Sequence, residues 1–247
     1  MPKRTLQTDI EVTLPVYNEE QELNANTLKL YSYLKTGFYH KSFSITIADN
    51  ASTDATPVIA RSLTKKHQEI HYLRLNKKGR GRAIKTAWTN SNARILSYMD
   101  IDLSTDLKSF NIIINSLTEG SCDLAVGSRL LKDSQIYQRP LLREILSRGL
   151  NIIIKLLFQT KFTDAQCGFK AISSKSKNIL PAIIDNEWFF DSELLIIADK
   201  VNLRIHEVPI VWVDNPGSTV RVLGTVIGDL KGLFRLFFTR PWNKIKI

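Results

Sequence analysis

The stretch "SYMDIDLSTD", Ser97 to Asp106, ends a short apolar run in three aspartates, two of which, Asp100 and Asp102, are one residue apart. On an extended segment residues i and i+2 point the same way, so both carboxylates can face one divalent cation. Hard oxygen donors suit Mg²⁺ or Mn²⁺, which keep waters and complete their shells with substrate phosphates. The plainer reading is a solvated loop in which Ser104 or Asp106 caps the next helix. A lone D-x-D is common; its place after the fourth strand of an alternating pattern gives it weight.

Three further loops carry unusual polar chemistry. In "PVYNEE" (Pro15 to Glu20) Asn18 could cap a helix and Glu19 complement its dipole, but neither role accounts for the flat ring of Tyr17. In "DNASTD", Asp54 or Thr53 reads as a cap, whereas Asp49 precedes the turn and is free to bind a base or ribose. "KKGRGRA" has two glycines that let backbone approach a phosphate-bearing group, although a flexible basic turn reads the same way.

Positioning these loops requires strands and helices in alternation. Short β-branched runs ("IEVTL", "FSITIA", "IHYLRL", "ARILSYM", "DLAVG") alternate with amphipathic stretches at Glu19 to Leu34, Ala55 to Lys66, Arg82 to Asn92 and Leu107 to Leu117. This predicts an α/β fold with a mostly parallel central sheet flanked by helices, whose strand C-termini gather the four loops on one rim. A long helix over Arg139 to Phe158, a helix near Trp188 to Lys200 and a strand "RIHEVPIVWV" follow. The organisation reads as a catalytic domain over residues 1–215 and a basic amphipathic segment over 216–247, beginning near Asn215-Pro216-Gly217.

The whole-chain balance narrows the partners. A formal net charge of +10 over 247 residues calls for an anionic partner. A nucleic-acid module would leave the aspartates unexplained and would need basic surface interleaved with aromatics, whereas these cations cluster in the tail and in single loops. Two cysteines, Cys122 and Cys167, lie far apart without metal-site spacing, which points to a reducing compartment. No apolar run approaches the roughly 18 residues of a spanning helix, so the chain is not expected to cross a membrane by itself, and with its cysteine usage it is expected to be cytoplasmic.

The four loops, followed by "GSR" (Gly127 to Arg129), "REILSRGLN" (Arg143 to Asn151), "DAQCGFK" (Asp164 to Lys170), "WFFDSELL" and "HEVPIVW", resemble the family 2 glycosyltransferases of GT-A fold. The likeness is to the branch that glycosylates dolichyl and other polyprenyl phosphates. It implies that Pro15, Tyr17, Glu19 and Asp49 hold a nucleotide with Arg80 beside it, and that Asp100 and Asp102 hold Mg²⁺ or Mn²⁺ on the donor's diphosphate. Arg129, with Arg143 or Arg148, would cradle the acceptor phosphate. Asp164 would position an arginine or the metal, or act as a base. The reaction implied is inverting hexose transfer from a nucleotide sugar, UDP-glucose ahead of GDP-mannose, to a polyprenyl phosphate. The family's common pattern differs at Asn50, Ala51 and Ser104, which bears on the donor more than on the reaction class.

The tail supplies much of the charge: Arg221, Lys231, Arg235, Arg240, Lys244 and Lys246 against Asp229. Val222, Val226, Leu230, Leu233, Phe234 and Phe237 recur at helical spacing beside them, as in an interfacial helix on anionic lipid. A helix packed on the chain's own core or on a membrane partner protein has the same pattern. From the D-x-D placement, Asp102→Asn is expected to nearly abolish turnover while leaving the thermal melt unchanged, and chelator is expected to do the same to the wild type; chelator-resistant activity would refute the metal role.

Overall fold

The computed structural model describes residues 8–214 and 222–245. Nine strands and seven α-helices are described: β1 (Ile10–Val16), α1 (Leu23–Gly37), β2 (Phe43–Asn50), α2 (Thr56–Lys66), β3 (Ile70–Leu75), α3 (Arg80–Asn90), β4 (Ile95–Met99), α4 (Lys108–Thr118), β5 (Leu124–Ser128), β6 (Gln135–Tyr137), α5 (Leu141–Phe158), β7 (Phe169–Ser173), α6 (Phe190–Lys200), β8 (Ile205–Pro209), β9 (Val211–Val213) and α7 (Val222–Thr239). The main sheet has seven strands in the order β3-β2-β1-β4-β7-β5-β8; β6 and β9 form a separate pair.

The strand order reverses direction between β1 and β4, which is where such sheets open a ligand crevice. β1 is buried along its whole length and pairs parallel with β2 as far as Val16, but with β4 only as far as Thr13↔Tyr98. Pro15, lacking an N–H, therefore lies beyond the β4 ladder, where β1 has lost that neighbour. The loops after β1 and β4 leave from this split.

β7 is antiparallel to both β4 and β5 and begins where β4 ends, at Met99↔Phe169. The parallel expectation holds elsewhere in the main sheet. Gly168 is thereby pressed against Asp100: a Cβ there would lie 1.9 Å from Asp100 Oδ2. Beneath, Phe110 of α4 stacks on Phe169 at 5.8 Å, and Trp88 of α3 sits 5.8 Å from Tyr98.

Two expected elements take a different form. The single strand expected over "RIHEVPIVWV" divides at Ile210. β8 stays in the main sheet, while β9 crosses to β6 and to the D-x-D loop, through Asp106 N to Val211 O (3.0 Å) and Val213 N to Ser104 O (3.0 Å). His206, on the edge strand β8, is exposed. The first helix starts at Leu23 instead of Glu19, because Asn18 adopts φ 57°, a left-handed turn that asparagine tolerates.

The C-terminal helix is not a detached stripe. The expected boundary near residue 215, together with Arg221 and Lys246, lies outside the described residues, as does the side chain of Val222. Within α7, Leu233 and Leu236 are buried, and a Cβ on Gly232 would meet the Phe189 ring at 2.2 Å. Arg235, expected to face lipid, instead pairs with the buried Glu193 at 2.7 Å. Asp229 accepts both its bonds from Gln166 Nε2, at 2.9 and 3.0 Å. Ile227, Leu230, Phe234 and Phe238 remain exposed on the other side. No helix among the described residues is long and apolar enough to cross a membrane. Gly232→Val is expected to force Phe189 and α7 apart and to lower stability by about 1–3 kcal/mol in urea unfolding; an unchanged midpoint would contradict this packing.

Candidate active site

The D-x-D loop rests on a buried polar network. Arg80, the first residue of α3, donates Nε and Nη2 to Asp100 Oδ1 (3.1 and 2.7 Å) and Nη1 to Asp191 Oδ2 (2.6 Å). Lys170 of β7, fully buried, donates to Asp191 Oδ1 (2.8 Å), to Cys167 O (2.7 Å) and to the Tyr98 hydroxyl (3.2 Å). Tyr98 also donates to Asp191. Arg80, expected beside the nucleotide, thus lies beneath the loop and aims Asp100. Leu103 turns the chain at φ 48°, a conformation a branched side chain adopts only under constraint, and Asp102 accepts from Ser104 N at 3.0 Å.

Negative charge accumulates above that network. Burial raises the Asp100 carboxyl, Arg80 opposes the rise, and Asp102 adds to it. Glu19 is pushed up to about 7 by burial first, then by Glu22, Asp102, Asp54 and Asp100. Glu19, Asp100 and Asp102 therefore share one electrostatic neighbourhood that a cation would relieve. Among the described residues no three His, Cys, Asp or Glu side chains are arranged to enclose a metal. Two carboxylates with open positions match a cation that takes its other ligands from water and phosphate.

The other loops are braced against one another. Asn18 Oδ1 accepts from Thr53 N (2.8 Å), Glu20 Oε2 from Ala55 N (2.9 Å), and Asp54 Oδ2 from Glu20 N (3.2 Å). Asp49 is buried at the end of β2, where it accepts from Arg74 Nη1 (2.5 Å), the Tyr72 hydroxyl (2.7 Å) and Ser52 N (2.8 Å). Tyr17 carries the Lys78 ammonium 3.6 Å from its ring centroid. The two glycines of "KKGRGRA" serve packing: Gly79 lies at φ 152° against Asn186 O, and Gly81 against Phe190, with contacts of 2.5 Å for an added Cβ at each. Their close approach is to the chain's own 186–190 segment, where Gly81 N and Arg82 N donate to Glu187 O and Asn186 O.

Trp212 of β9 joins this rim to the arginines. It lines the same cleft as Asp100, Asp102, Leu103, Ser104 and Thr105, and the Arg129 guanidinium lies 5.1 Å from its ring centroid. Arg129 spends its fork on Asp164, through Nε (2.8 Å), Nη2 (3.0 Å) and its backbone N (3.0 Å). Burial disfavours the Asp164 charge, yet Arg129 overrides it and holds the carboxyl at about 2. A carboxylate that acidic is a poor base at neutral pH; its geometry is that of an arginine positioner. Arg143 reaches Asp214 at 3.3 Å. Arg148 is exposed and pairs with Glu144 one turn earlier.

Residues 11–179 match the profile of glycosyl transferase family 2. The chain belongs to that family. Among curated family relatives, glycosyltransferase AglD of Haloferax volcanii is 30% identical over 222 residues, spanning 89% of this chain and 35% of that protein. The dolichyl-phosphate beta-glucosyltransferases of Dictyostelium discoideum and Drosophila melanogaster are 29% and 28% identical, over 93% and 85% of this chain and 74% and 68% of theirs. Among solved structures, glucosyl-3-phosphoglycerate synthase of Mycobacterium tuberculosis, in complex with Mn²⁺, UDP-glucose and phosphoglyceric acid, superposes with a TM-score of 0.69 over 93% of this chain and 79% of that one, at 16% identity. The GT-A fold is thereby shared.

Sequence reading of this family site passed over Arg139, Trp212 and Asp214. Arg139 was hidden as the expected start of a helix that begins at Leu141, and Trp212 inside a strand taken as continuous. One test follows from the crowding at Glu19. Its folded pKa lies above the ordinary 4.5, so the folded state holds the proton more tightly; this contribution to stability is full at low pH, falls as pH rises through the interval from about 4.5 to about 7, and is flat above it. Carbon NMR of the metal-free protein is expected to show a carboxyl with a midpoint near 7, lowered in Asp102→Asn; a midpoint at the ordinary glutamate value would contradict the shared neighbourhood.

Proposed function

We propose that this protein transfers a hexose from a nucleotide sugar to the phosphate of a polyprenyl lipid such as dolichyl phosphate, with inversion, at the cytoplasmic face of a membrane. UDP-glucose is the donor we favour over GDP-mannose, since the glucosyltransferase relatives above align over most of this chain.

The observation that carries this reading is the adjacency of cations and exposed apolar surface. Leu141 and Leu142, 74% and 62% exposed, stand between Arg139 and Arg143. From them the exposed face of α5 continues through Ile145, Ile152 and Leu156, and α7 adds Leu230, Phe234 and Phe238. The two helices meet through Phe158 and Phe237, 6.5 Å apart. Apolar surface of this extent on a soluble domain marks an interaction site, and exposed Lys155, Lys231, Arg240 and Lys244 beside it suit an anionic bilayer surface. An acceptor with a phosphate head and an apolar tail fits that order.

In the proposed reaction an acceptor phosphate oxygen bonds to the sugar's anomeric carbon as the bond from that carbon to the diphosphate oxygen breaks. The electron pair leaves with the nucleoside diphosphate, and one displacement inverts an α-linked donor to a β-linked product. Asp100 and Asp102 are the residues that would hold Mg²⁺ or Mn²⁺, which would supply positive charge to the diphosphate as it leaves. A phosphate monoester with second pKa about 6 is already mostly dianionic at neutral pH, so the nucleophile needs no base, in keeping with Asp164 bound to Arg129. Arg129 offsets the repulsion between acceptor phosphate and donor diphosphate, and Arg80 keeps Asp100 aimed at the latter.

The test is a panel of UDP-glucose, GDP-mannose and other nucleotide sugars against farnesyl phosphate, glycerol 3-phosphate and no acceptor, scored by nucleoside diphosphate release and product stereochemistry. Release from UDP-glucose that depends on farnesyl phosphate is expected. In parallel the protein is expected to co-float with anionic liposomes at low salt, and Phe234→Asp with Phe237→Asp to lose flotation while still binding nucleotide. Transfer to glycerol 3-phosphate alone would overturn the lipid acceptor; indifference to liposomes would assign the apolar face to a partner protein.

A further inference from the structure

Arg139 stands between β6 and α5, at the end of a turn made by Gln138 at φ 58°. Its side chain is 8% exposed, and its Nε and Nη1 are buried without a hydrogen-bond partner. Glu144 Oε2 is 3.0 Å from Nε, but as an ion pair outside hydrogen-bonding geometry, and Glu144 also serves Arg148 at 2.5 Å. Arginine N–H groups are seldom buried without acceptors, because each unsatisfied donor gives up its hydration without replacement. Burial first, and then the like charge of Arg129, lower its pKa from the ordinary arginine value.

A second orphan lies on the strand paired with β6, where Trp212 stands opposite Ile136 and Asp214 N donates to Tyr137 O, two residues before Arg139. Trp212 is buried and its Nε1 donates to nothing, while its ring carries Arg129 on one side and lines the D-x-D cleft. Two guanidinium N–H groups and an indole N–H thus lack acceptors beside an arginine whose fork is already consumed by Asp164. A group that satisfied them would accept several hydrogen bonds, beside two arginines that Asp164 and Glu144 already pair. Asp214 Oδ2, unpartnered, and Glu144 Oε2, 3.0 Å from Arg139 Nε, work against an anion; Arg143 moderates the first from 3.3 Å and Arg148 the second from 2.5 Å.

We propose that Arg139, with Trp212, forms the anion site that receives the acceptor's phosphate beside Arg129. The inference deepens the lipid-phosphate reading and rests on it for the acceptor's class. A phosphate monoester presents several acceptor oxygens and no obligatory donor, and arginine forks match it better than an ammonium does. Arg129, fixed by Asp164, supplies an immobile charge; Arg139 supplies the contacts. The exposed Leu141 and Leu142, two and three residues on, then lie where the acceptor's first apolar carbons leave its phosphate.

The test measures steady-state kinetics with UDP-glucose and farnesyl phosphate, and calorimetric binding of farnesyl phosphate, in the wild type, Arg139→Ala, Arg139→Lys and Asp214→Asn. Arg139→Ala is expected to raise the KM and Kd for farnesyl phosphate by about tenfold to a hundredfold, with the KM for UDP-glucose unchanged. Arg139→Lys keeps the charge without the fork and is expected to recover part of the loss. Asp214→Asn removes a repelling charge and is expected to tighten farnesyl phosphate.

A fall in kcat alone, equal changes in both KM values, or no recovery with lysine would overturn the assignment and make Arg139 structural. If the wild type uses farnesyl phosphate and Arg139→Ala binds it unchanged, the anion site fails while the lipid reading stands. If the wild type uses glycerol 3-phosphate only, with a KM that depends on Arg139, the lipid reading fails while the phosphate site stands.

Discussion

The site depends on a buried ionic network under the D-x-D loop. Arg80 and Lys170 are set against Asp100 and Asp191, with the Tyr98 hydroxyl among them. Taking such charges out of water is expensive, and removing one partner of a buried pair costs about 3–5 kcal/mol. The arrangement spans α3, β4, β7 and α6, so moving any of these elements strands a charge. Lys170 and Arg80 overcome burial and hold the Asp191 carboxyl below its usual range, which makes Asp191 a fixed anion on which Arg80 pivots. Asp100, raised rather than lowered, is the member left wanting positive charge, and it is the one that faces the cleft.

β9 extends that order to the other half of the site. One short strand pairs with β6, hydrogen bonds to Ser104 and Asp106 of the D-x-D loop, and carries Trp212 between the loop and Arg129. The D-x-D loop and Arg129 are therefore tied to one strand. In a displacement between two phosphates, repulsion is managed best by charges already in place, because fixed dipoles and cations need no reorganisation as the reaction proceeds.

Periodicity made the first half of the fold legible: alternating β-branched runs and amphipathic helices gave strands and helices at nearly the observed places, and the four polar loops do share one rim. What could not be read was contact at long sequence separation. Nothing local to Arg80 says that it pairs with Asp191, 111 positions away, or that the glycines at 79 and 81 accommodate the 186–190 segment rather than a ligand. The antiparallel setting of β7 could not be read, since insertion between two parallel strands leaves no periodic mark. Among the arginines, spacing could not separate Arg148, on the exposed flank of α5, from Arg139, whose significance comes from burial without partners.

The C-terminal helix also changes meaning once its contacts are known. Read as a stripe, α7 is an anchor; packed, it is part of the wall. Asp229, raised to about 6 by burial, holds the Gln166 side chain through both oxygens. Gln166 lies two residues from Asp164, and its backbone N–H donates to Asp164 Oδ1 at 3.2 Å. Asp164 in turn fixes Arg129. A continuous chain of hydrogen bonds thus runs from α7, whose outer face exposes Leu230, Phe234 and Phe238, to the arginine beside the cleft. The exposed apolar face of α7 and Arg129 are thereby joined through Asp229, Gln166 and Asp164, so a shift of the helix would be felt at the arginine.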